Sequence, residues 1–515
     1  MPKQEIKRGE TVLEARGITK RFPGVLANDG INFDIKAGEI HAILGENGAG
    51  KTTLMKILFG EYLPDEGEIQ IFGRAVKFKS PLDAIDMGIG MVHQHRKLIP
   101  AHTVIENILL GHPRAGRILN LRDTETEILE LCQKYDFNID LYAKVWQISE
   151  GEKQVVEILK ALYRGAEILI LDEPTSALAP TDTEKLLASI EAMADADLAI
   201  VPFITHKLPI VLAISDRVTV LRRGKVVATM DTNQATERSL AMEMVGREVI
   251  FRIEKAEAEL GSEILQVNNL SAMNDKGLKA IDGVSFSIRE GEIFGIAGIA
   301  GNGQDELVEV LAGLRPSLSG SVIFDGVDIT HASSLERWQL GFGYIPADRI
   351  HIGSIADFSL VENTALNYFF DQQFHKGATL DYNKMRQLTQ DIITEYNVQT
   401  PSSEIPAKSL SGGNLQKIIL ARVLSRNPRL VIAHLPTQGL DIGATEFVRN
   451  KLIEAQKNKA AVLLISEDLD EVLSLSDRVA PIYEGKFMDI IPGNQVRRES
   501  VGAMCAGINL EVDGL

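Results

Sequence analysis

The sequence predicts an α/β fold made of two tandem copies of one domain. A short apolar run, residues 41–44, leads directly into a glycine-rich loop and then into a segment whose apolar residues have helical spacing. A second apolar run, residues 168–171, has the length and composition of a strand that is buried on both faces. The landmarks of the first half recur in the same order in the second half, which indicates a duplicated domain.

The glycine-rich loop of the first half reads Gly-x-x-x-x-Gly-Lys-Thr over residues 45–52. Glycines let backbone N–H groups turn toward phosphate oxygens, and the start of a helix adds a favourable dipole. Although such a pattern can arise by chance in a turn, its position between a strand and a helix predicts a phosphate-binding loop for ATP and Mg²⁺. Lys51 would neutralise phosphate charge, and the Thr52 hydroxyl would bind the metal. The residues predicted to hold ATP here are Gly45, Glu46, Asn47, Gly48, Ala49, Gly50, Lys51, Thr52 and Thr53.

Two carboxylates, Asp172 and Glu173, follow the second apolar strand. An acid at the carboxyl end of a buried strand can reach a metal at the phosphate-binding loop, so Asp172 is predicted to bind Mg²⁺. Glu173 points to the other side and is predicted to polarise the attacking water as a general base. Two acids after a strand usually mark only a strand end that meets solvent. Together with this loop, however, they indicate ATP hydrolysis.

Over essentially its whole length the chain resembles the ATP-binding cassette (ABC) family of transport ATPases. Three further residues of the first half match motifs of that family: Phe22, Gln94 and His206. Alone, an aromatic residue after a strand is usually part of a core, and a single histidine is usually structural. The resemblance implies that Phe22 stacks on adenine and that His206 is a catalytic switch at the γ-phosphate. It also implies that Gln94 senses the γ-phosphate, binds magnesium and lies in a loop that contacts membrane subunits.

The same resemblance implies a P-loop NTPase fold with a helical subdomain in each half, and the segment from about 120 to 165 reads as mainly helical. The helical signature of the family is Leu-Ser-Gly-Gly-Gln. The first half has Ile-Ser-Glu-Gly-Glu at 148–152, which places Glu150 where a γ-phosphate would approach. The second half has Leu-Ser-Gly-Gly-Asn at 410–414, which is nearly intact. The residues of this second signature implied to bind ATP are Ser411, Gly412 and Gly413.

The phosphate-binding loop and the acid pair show the opposite pattern: they are intact in the first half and altered in the second. The second loop keeps its glycines, but Gln304 and Asp305 replace the lysine and the hydroxyl residue. The acid pair becomes His434 and Leu435, and a leucine cannot polarise water. A metal role for His434 is conceivable, but a structural role is the better prediction. The switch histidine, the γ-sensing glutamine and the stacking aromatic align respectively with Glu467, Ala347 and about Asn274.

Each half has therefore lost a different set of family residues: the first half has an altered signature, and the second has an altered loop and acid pair. In the family, two cassettes pair head to tail, and each ATP lies between the loop of one cassette and the signature of the other. The resemblance therefore implies one complete site, formed by the loop of the first half and the signature of the second. Its catalytic residues would be Lys51, Glu173 and His206, and its magnesium ligands would be Thr52, Gln94 and Asp172.

Charge and apolar content restrict the partners. The chain has a net charge of −17, so nonspecific binding to a phosphate backbone would need a local basic patch, and the sequence suggests none. We therefore expect no nucleic-acid partner.

No apolar run approaches the ~20 residues that span a bilayer. The resemblance is to bacterial tandem-cassette importers, and it implies two transmembrane permease subunits and a solute-binding protein. Association with the cytoplasmic face of the membrane, through those partners, is the expected location.

We predict a first domain over 1–251 with the intact loop, a charged linker over 252–262, and a second domain over 263–515. The motifs leave the solute open among nucleosides, ribose-type sugars and a flavin. The main alternative is a tandem ABC ATPase that acts on ribosomes or nucleic acid. The short linker and the single broken site disfavour it. A purely regulatory nucleotide-binding protein is disfavoured by the intact catalytic residues.

Overall fold

The computed structural model describes residues 7–93, 97–112, 121–175, 180–196, 198–203, 208–247, 259–377 and 379–508. The chain divides into two compact units, Met1–Val249 (unit 1) and Ile250–Leu515 (unit 2). Gln94, His206 and residues 252–258 of the predicted linker lie outside the described ranges. None of the helices built from the described residues is long and apolar enough to span a bilayer.

Unit 1 alternates strands and helices along the chain. Its strands are β1 (Thr11–Phe22), β2 (Val25–Lys36), β3 (His41–Leu44), β4 (Glu66–Ile71), β5 (Arg74–Val76), β6 (Ile89–Val92), β7 (Ile168–Asp172), β8 (Ala199–Phe203), β9 (Arg217–Arg222) and β10 (Lys225–Asp231). Its helices are α1 (Lys51–Leu58), α2 (Pro81–Asp86), α3 (Val104–Leu109), α4 (Leu121–Lys134), α5 (Glu150–Tyr163), α6 (Pro180–Asp195), α7 (Leu208–Ile214) and α8 (Glu237–Val245).

Two sheets form the framework of unit 1. The first is antiparallel, in the order β2-β1-β4-β5, and the second has the order β10-β9-β3-β8-β7-β6. In the second sheet β9, β3, β8, β7 and β6 run parallel, and β10 is an antiparallel edge strand. Every residue of β3 and β7 is buried. Because the carboxyl ends of parallel strands meet at one edge of a sheet, the loop after β3 and the acids after β7 lie along the same edge.

The core of unit 1 lies on both faces of this second sheet. Ile168 and Ile170 of β7 belong to the cluster packed with β1, β2 and α1. Leu169 and Leu171 belong to the cluster packed with α3, α5 and α6. This division follows from strand geometry, since successive side chains point to opposite faces. A strand that is apolar at every position is therefore buried on both sides.

The segment predicted to be mainly helical holds α4 and α5, and both α3 and α4 pack against α5. Residues 135–149 between the two helices are not α-helical. Asp136 has a φ of +55°, a left-handed conformation that ends α4. Ser149 then caps α5, because its side chain accepts a hydrogen bond from the N–H of Glu152.

Unit 2 repeats this plan. Its strands are β11 (Glu263–Met273), β12 (Lys279–Arg289), β13 (Ile293–Ala297), β14 (Ser319–Phe324), β15 (Val327–Asp328), β16 (Phe342–Ile345), β17 (His375–Lys376), β18 (Thr379–Leu380), β19 (Leu430–His434), β20 (Ala461–Ser466), β21 (Arg478–Tyr483), β22 (Lys486–Phe487) and β23 (Ile491–Pro492). Its helices are α9 (Gln304–Leu311), α10 (Ser334–Gln339), α11 (Leu360–Ala365), α12 (Tyr382–Glu395), α13 (Gly412–Leu424), α14 (Ile442–Lys457), α15 (Leu469–Leu475) and α16 (Arg498–Cys505).

The large sheet of unit 2 has the order β16-β19-β20-β13-β21, and it is parallel throughout these five strands. This order corresponds strand by strand to β6-β7-β8-β3-β9 of unit 1. A smaller antiparallel sheet, β12-β11-β14-β15, and the packed helices α11, α12 and α13 complete the correspondence. The predicted α/β fold with two tandem nucleotide-binding domains is therefore confirmed.

Unit 2 is ordered at its start by main-chain pairing. The N–H of Gly261 donates to the carbonyl of Glu290, and the N–H of Glu290 donates to the carbonyl of Ser262. The last residues of the predicted linker thus already pair with the end of β12, immediately before β11 begins.

Candidate functional site

The phosphate-binding loop of unit 1 joins β3 to α1 and ends at Gly50, immediately before the helix. Gly50 caps α1 with a φ of +101°, and a Cβ at this position would lie 2.3 Å from the carbonyl oxygen of Ala27. Only glycine fits there. Lys51 is 5% exposed. Its Nζ donates hydrogen bonds to the carbonyl oxygens of Gly45 (2.6 Å) and Glu46 (2.9 Å). The ammonium group is therefore folded over the loop.

Two of the predicted metal ligands, Thr52 and Asp172, lie on elements that meet at one edge of the parallel sheet. Thr52 is exposed in the first turn of α1, next to Lys51. Asp172 is the buried last residue of β7, at the sheet edge that the loop also occupies. A hydroxyl and a carboxylate are oxygen ligands of the kind that Mg²⁺ prefers. The residues present therefore fit a magnesium nucleotide.

The residue after Asp172 has an unusual backbone. Glu173 has a φ of +46°, in the left-handed region that non-glycine residues rarely adopt. Leu435, which follows β19 at the matching position of unit 2, has a φ of +45°. A residue held in this region costs of order 1 kcal/mol, and such residues cluster at active sites. Unit 2 has therefore kept the backbone conformation of this position after losing its carboxylate.

The remaining first-half predictions differ in how far the structure describes them. Phe22 ends β1 and is 37% exposed. Its ring meets that of Tyr62 edge-on, with centroids 5.5 Å apart. An exposed aromatic at this place can offer a face to a base. The roles of Gln94 and His206 stay predictions because both residues lie outside the described ranges.

The signature serine of unit 1 lies in an acidic helix start. Ser149 Oγ accepts a hydrogen bond from the N–H of Glu152 (3.2 Å), and the N–H of Ser149 donates to the Glu152 carboxylate (2.8 Å). Glu150 accepts a hydrogen bond from Lys153 Nζ at 2.6 Å. The Glu152 carboxylate thus already accepts from the start of α5, and Glu150, paired with Lys153, adds a second carboxylate where a phosphate would have to approach.

The signature serine of unit 2 precedes a helix whose first turn contains no charged residue. Ser411 caps α13, whose first residues are Gly-Gly-Asn. Its Oγ accepts hydrogen bonds from the N–H of Asn414 (3.4 Å) and from Asn414 Nδ2 (3.0 Å). Since a glycine and an amide replace the two carboxylates, the positive end of α13 remains suitable for an anion. The two signatures therefore differ in local charge as well as in sequence.

The phosphate-binding loop of unit 2 keeps the backbone of the intact loop but lacks its cation. Gly303 has the same φ as Gly50, +101°, and a Cβ there would lie 2.4 Å from the carbonyl oxygen of Ala280. Gln304 Nε2 donates to the carbonyl of Ile299 at 2.9 Å, as Lys51 donates to its own loop. A neutral amide has thus replaced the ammonium group and keeps one of its two hydrogen bonds to the loop, while the Gln304 Oε1 atom is buried without a partner among the described residues.

The two residues at the magnesium-ligand positions of unit 2 contact each other. His434 Nε2 lies 3.2 Å from Asp305 Oδ1, and the side chains are 7% and 69% exposed respectively. This polar contact lowers the pKa of Asp305. Burial, and then the nearby Asp305 carboxylate, raise the pKa of Glu467, which occupies the switch position. His434 is therefore engaged within the protein, consistent with the structural role predicted for it.

Sequence reasoning missed this contact, although a signal for it existed. Residues that share one metal ion in one copy of a domain must be neighbours in the other copy. Asp305 and His434 align with Thr52 and Asp172, so their proximity could have been inferred from the alignment of the halves. Arg349, which lies beside the second signature, belongs to no motif that would single it out in the sequence.

A groove opens beside β6 and α5 in unit 1. Its lining combines apolar side chains with ionisable ones, including Phe59, Met91, His93, Glu157 and Lys160. His93 immediately precedes Gln94 in the chain. One lining residue of the groove is therefore the chain neighbour of Gln94, the residue for which the family resemblance implies a loop that contacts membrane subunits.

Comparison with known families and proteins gives consistent matches. The ABC transporter family model matches residues 28–176 and 281–438. The glucose import ATP-binding protein TsgD13 of Haloferax volcanii is 44% identical, over 97% of this chain and 96% of that protein. The nucleoside import ATP-binding protein NupA of Lactococcus lactis is 42% identical, over 97% and 99%. The guanosine import ATP-binding protein NupO of Bacillus subtilis is 43% identical, over 97% and 98%.

Solved structures give a fold-level match. The structure of an RNase-L inhibitor has a TM-score of 0.62 at 18% identity, over 96% of this chain and 93% of that one. An archaeal ribosome recycling factor, aABCE1, in complex with the ribosomal stalk protein aP1, has a TM-score of 0.61 at 19% identity, over 96% and 92%. At these identities the likeness concerns the fold alone.

Proposed function

Because this chain belongs to the ABC transporter family, we propose that it is the ATP-hydrolysing subunit of an importer for nucleosides or simple sugars. The observation that carries the proposal is the intact phosphate-binding loop of unit 1, with Lys51 folded over it. The similarity, at 42–44% identity and 97% coverage of this chain, to three import ATP-binding proteins supports the transport role. Those relatives are named for the import of glucose, nucleosides and guanosine, and we propose a solute of the same classes.

In the proposed reaction, unit 1 binds ATP and positions water. Backbone N–H groups of the loop and the Lys51 ammonium group bind the β- and γ-phosphates. Thr52 and Asp172, with Gln94, would hold Mg²⁺, which when bound neutralises the negative charge of the phosphates. Glu173 accepts a hydrogen bond from the attacking water and orients it toward the γ-phosphate. Phe22 supports the adenine base, and His206 completes the contacts with the γ-phosphate.

Unit 2 supplies the signature in this proposal. We infer that Ser411, Gly412 and Gly413 contact the γ-phosphate of the ATP that unit 1 holds. The uncharged start of α13 supports this assignment, since the corresponding helix of unit 1 begins with two carboxylates. The inference rests on the family resemblance and on the local charge of each helix. The loop of unit 2, with Gln304 and Asp305, is then not a hydrolytic site.

The proposed partners are two transmembrane permease subunits and a solute-binding protein, which would hold this chain at the cytoplasmic face of the membrane. The groove beside His93 in unit 1 supports a permease contact because it mixes apolar and charged side chains, as protein interfaces do. A role on ribosomes is the second candidate, prompted by the fold likeness to a ribosome recycling factor. That likeness extends only to the fold, so the importer proposal has the stronger support.

The direct test uses the chain assembled with its permease and solute-binding protein in lipid. We expect magnesium-dependent ATP hydrolysis that is slow for the isolated chain and is stimulated by the assembly and by solute. The matched control is Lys51→Ala, which removes the phosphate-binding cation. Solute-dependent hydrolysis no higher than in this control would contradict the proposal. Stimulation by ribosomes instead of solute would favour the alternative.

A further inference from the structure

Arg349 joins two segments that flank the signature of unit 2. It follows β16 in the chain, and its Nε donates a hydrogen bond to Gln416 Oε1 at 2.9 Å. Its Nη2 donates a second, short hydrogen bond to the carbonyl oxygen of Gln438. Gln416 lies in α13, and Gln438 lies in the segment that leads into α14. One guanidinium group therefore bridges two segments that are distant in the chain. Gln416 and Gln438 are 22 residues apart, and Arg349 lies further still from each of them.

Gln416 makes this bridge continuous. The residue is fully buried, and its Nε2 donates to the carbonyl oxygen of Pro436 at 2.8 Å. Its carbonyl oxygen is the acceptor for Arg349. Both ends of the amide are thus satisfied, as buried polar groups require. The side chain couples α13 to the same segment that Arg349 contacts.

The start of the signature helix has close neighbours at Gly412 and Gly413, although Ser411 and Gly412 are exposed. A Cβ at Gly413 would lie 3.2 Å from the Cβ of Ala444, at the start of α14. A Cβ at Gly412 would have Arg349 Nη1 as its neighbour, at 3.8 Å. The backbone next to Ser411 is therefore packed against α14 on one side and lies beside the guanidinium group on the other.

The chemistry of Arg349 suits orientation better than charge neutralisation. Burial lowers its pKa, and within the described residues no salt bridge joins it to a carboxylate. Its acceptors are neutral carbonyl oxygens, so it gains no ion pair in return for its desolvation. A planar guanidinium donates in fixed directions, which a lysine ammonium cannot reproduce. Such a group holds segments at a defined distance.

We propose that Arg349 is a positioning residue for ATP hydrolysis, which fixes the Ser411 signature relative to the start of α14. This inference rests on the proposed function, in which Ser411 contacts the γ-phosphate. A displacement of about 1 Å at a reacting group can lower a rate by about 10²-fold. Loss of the Arg349 bridge therefore lowers turnover, while the nucleotide contacts made by unit 1 remain.

The test compares kcat with nucleotide affinity in the full chain. We expect Arg349→Ala to lower kcat about 10- to 100-fold, with the Kd for ADP unchanged, since ADP has no γ-phosphate for the signature to contact. Arg349→Gln, which keeps an amide donor, is a second variant if the alanine variant does not fold. The matched control is Arg386→Ala, which removes an exposed arginine of α12 that pairs with Glu404. It should leave kcat unchanged.

A double-mutant cycle separates positioning from a general structural effect. If Arg349 acts through Ser411, adding Arg349→Ala to Ser411→Ala should change kcat by less than about threefold. Multiplication of the two single losses would overturn the proposal, as would an unchanged kcat for Arg349→Ala beside a reduced kcat for Ser411→Ala. An unchanged kcat for Ser411→Ala alone would instead refute the role that the proposed function gives to the signature.

Discussion

His434 Nε2 lies 3.2 Å from Asp305 Oδ1 in unit 2, so the residues at the two magnesium-ligand positions contact each other there. In unit 1 the same positions hold Thr52 and Asp172, which offer oxygen ligands. An imidazole at one position and a carboxylate already in contact with it make a poor magnesium site. The contact gives a physical reason to expect that the two loops differ in metal binding as well as in sequence.

The first prediction concerns metal stoichiometry. With ATP and Mn²⁺, whose bound and free forms differ in electron paramagnetic resonance, we expect one nucleotide-dependent Mn²⁺ per chain. The ligands of that ion would come from unit 1, so Asp172→Asn should weaken its binding strongly. Asp305→Asn should leave the count at one. Two equivalent Mn²⁺ ions per chain would contradict the magnesium-site asymmetry.

The second prediction tests the general base. Glu173→Gln should preserve ATP binding and lower kcat at least about 10²-fold, because the amide keeps the size of the side chain but loses the acceptor for water. Turnover under single-cycle conditions, with bound nucleotide measured in parallel, checks both parts. The control is Glu237→Gln, an exposed glutamate at the start of α8. An unchanged rate in Glu173→Gln would assign the positioning of water to another residue.

The parts of the fold and site that the sequence predicted depend on short-range patterns. The strand, loop and helix around Lys51 lie within one continuous segment, and the apolar run before Asp172 identifies a buried strand by composition alone. Their meeting at one sheet edge follows from parallel strand order. The contacts of Arg349 could not be predicted in this way, because Gln416 and Gln438 approach it only through the packing of α13 against the segment before α14.

Arg337 shows the same limit in the core. Its side chain is 2% exposed, and no pattern in the sequence distinguishes it from a surface arginine of α10. The structure shows that it donates to the ends of several segments. The acceptors are the carbonyl oxygens of Val310, Leu311, Ile329, Thr330 and Ala332.

The third prediction follows from those contacts. Arg337→Met should destabilise unit 2 by about 3 kcal/mol or more, because it leaves buried carbonyl oxygens without donors. Denaturant unfolding of the full chain, followed by a probe in unit 2, measures the change. Arg386→Met is the matched control, since an exposed salt bridge contributes at most about 1 kcal/mol. Equal small losses in both variants would contradict the assigned role of Arg337.

The fourth prediction concerns the stability of unit 1 at mildly acid pH. His41 is buried in β3, where its Nδ1 donates to the carbonyl of Asp34 (2.7 Å) and its Nε2 accepts from Thr219 Oγ1 (2.8 Å). Burial, reinforced by the nearby Arg217 guanidinium, lowers its pKa from 6.5 to about 3. The folded state therefore holds a neutral imidazole, whereas the unfolded chain binds a proton below about pH 6.5.

It follows that the contribution of His41 to stability is complete above about pH 6.5 and is lost as the pH falls toward 3. The loss approaches about 1.4 kcal/mol for each pH unit in this window. We expect His41→Gln to reduce the difference in the free energy of unfolding of unit 1 between pH 7 and pH 5. The exposed His331→Gln should leave that difference as it is. Identical pH dependence in His41→Gln and the unmodified chain would contradict the interpretation.

The central claim is that the two halves have different roles, with the loop of unit 1 working with the signature of unit 2. A reconstituted transport assay that compares Ser411→Ala with Ser149→Ala tests it most directly. Removal of one donor aimed at charge that develops during the reaction costs about 10²- to 10³-fold in rate at comparable sites. We predict a loss of this size for Ser411→Ala, whereas Ser149→Ala, in a helix start that already holds Glu150 and Glu152, should retain most of the transport. Equal losses of transport in the two variants would contradict the claim.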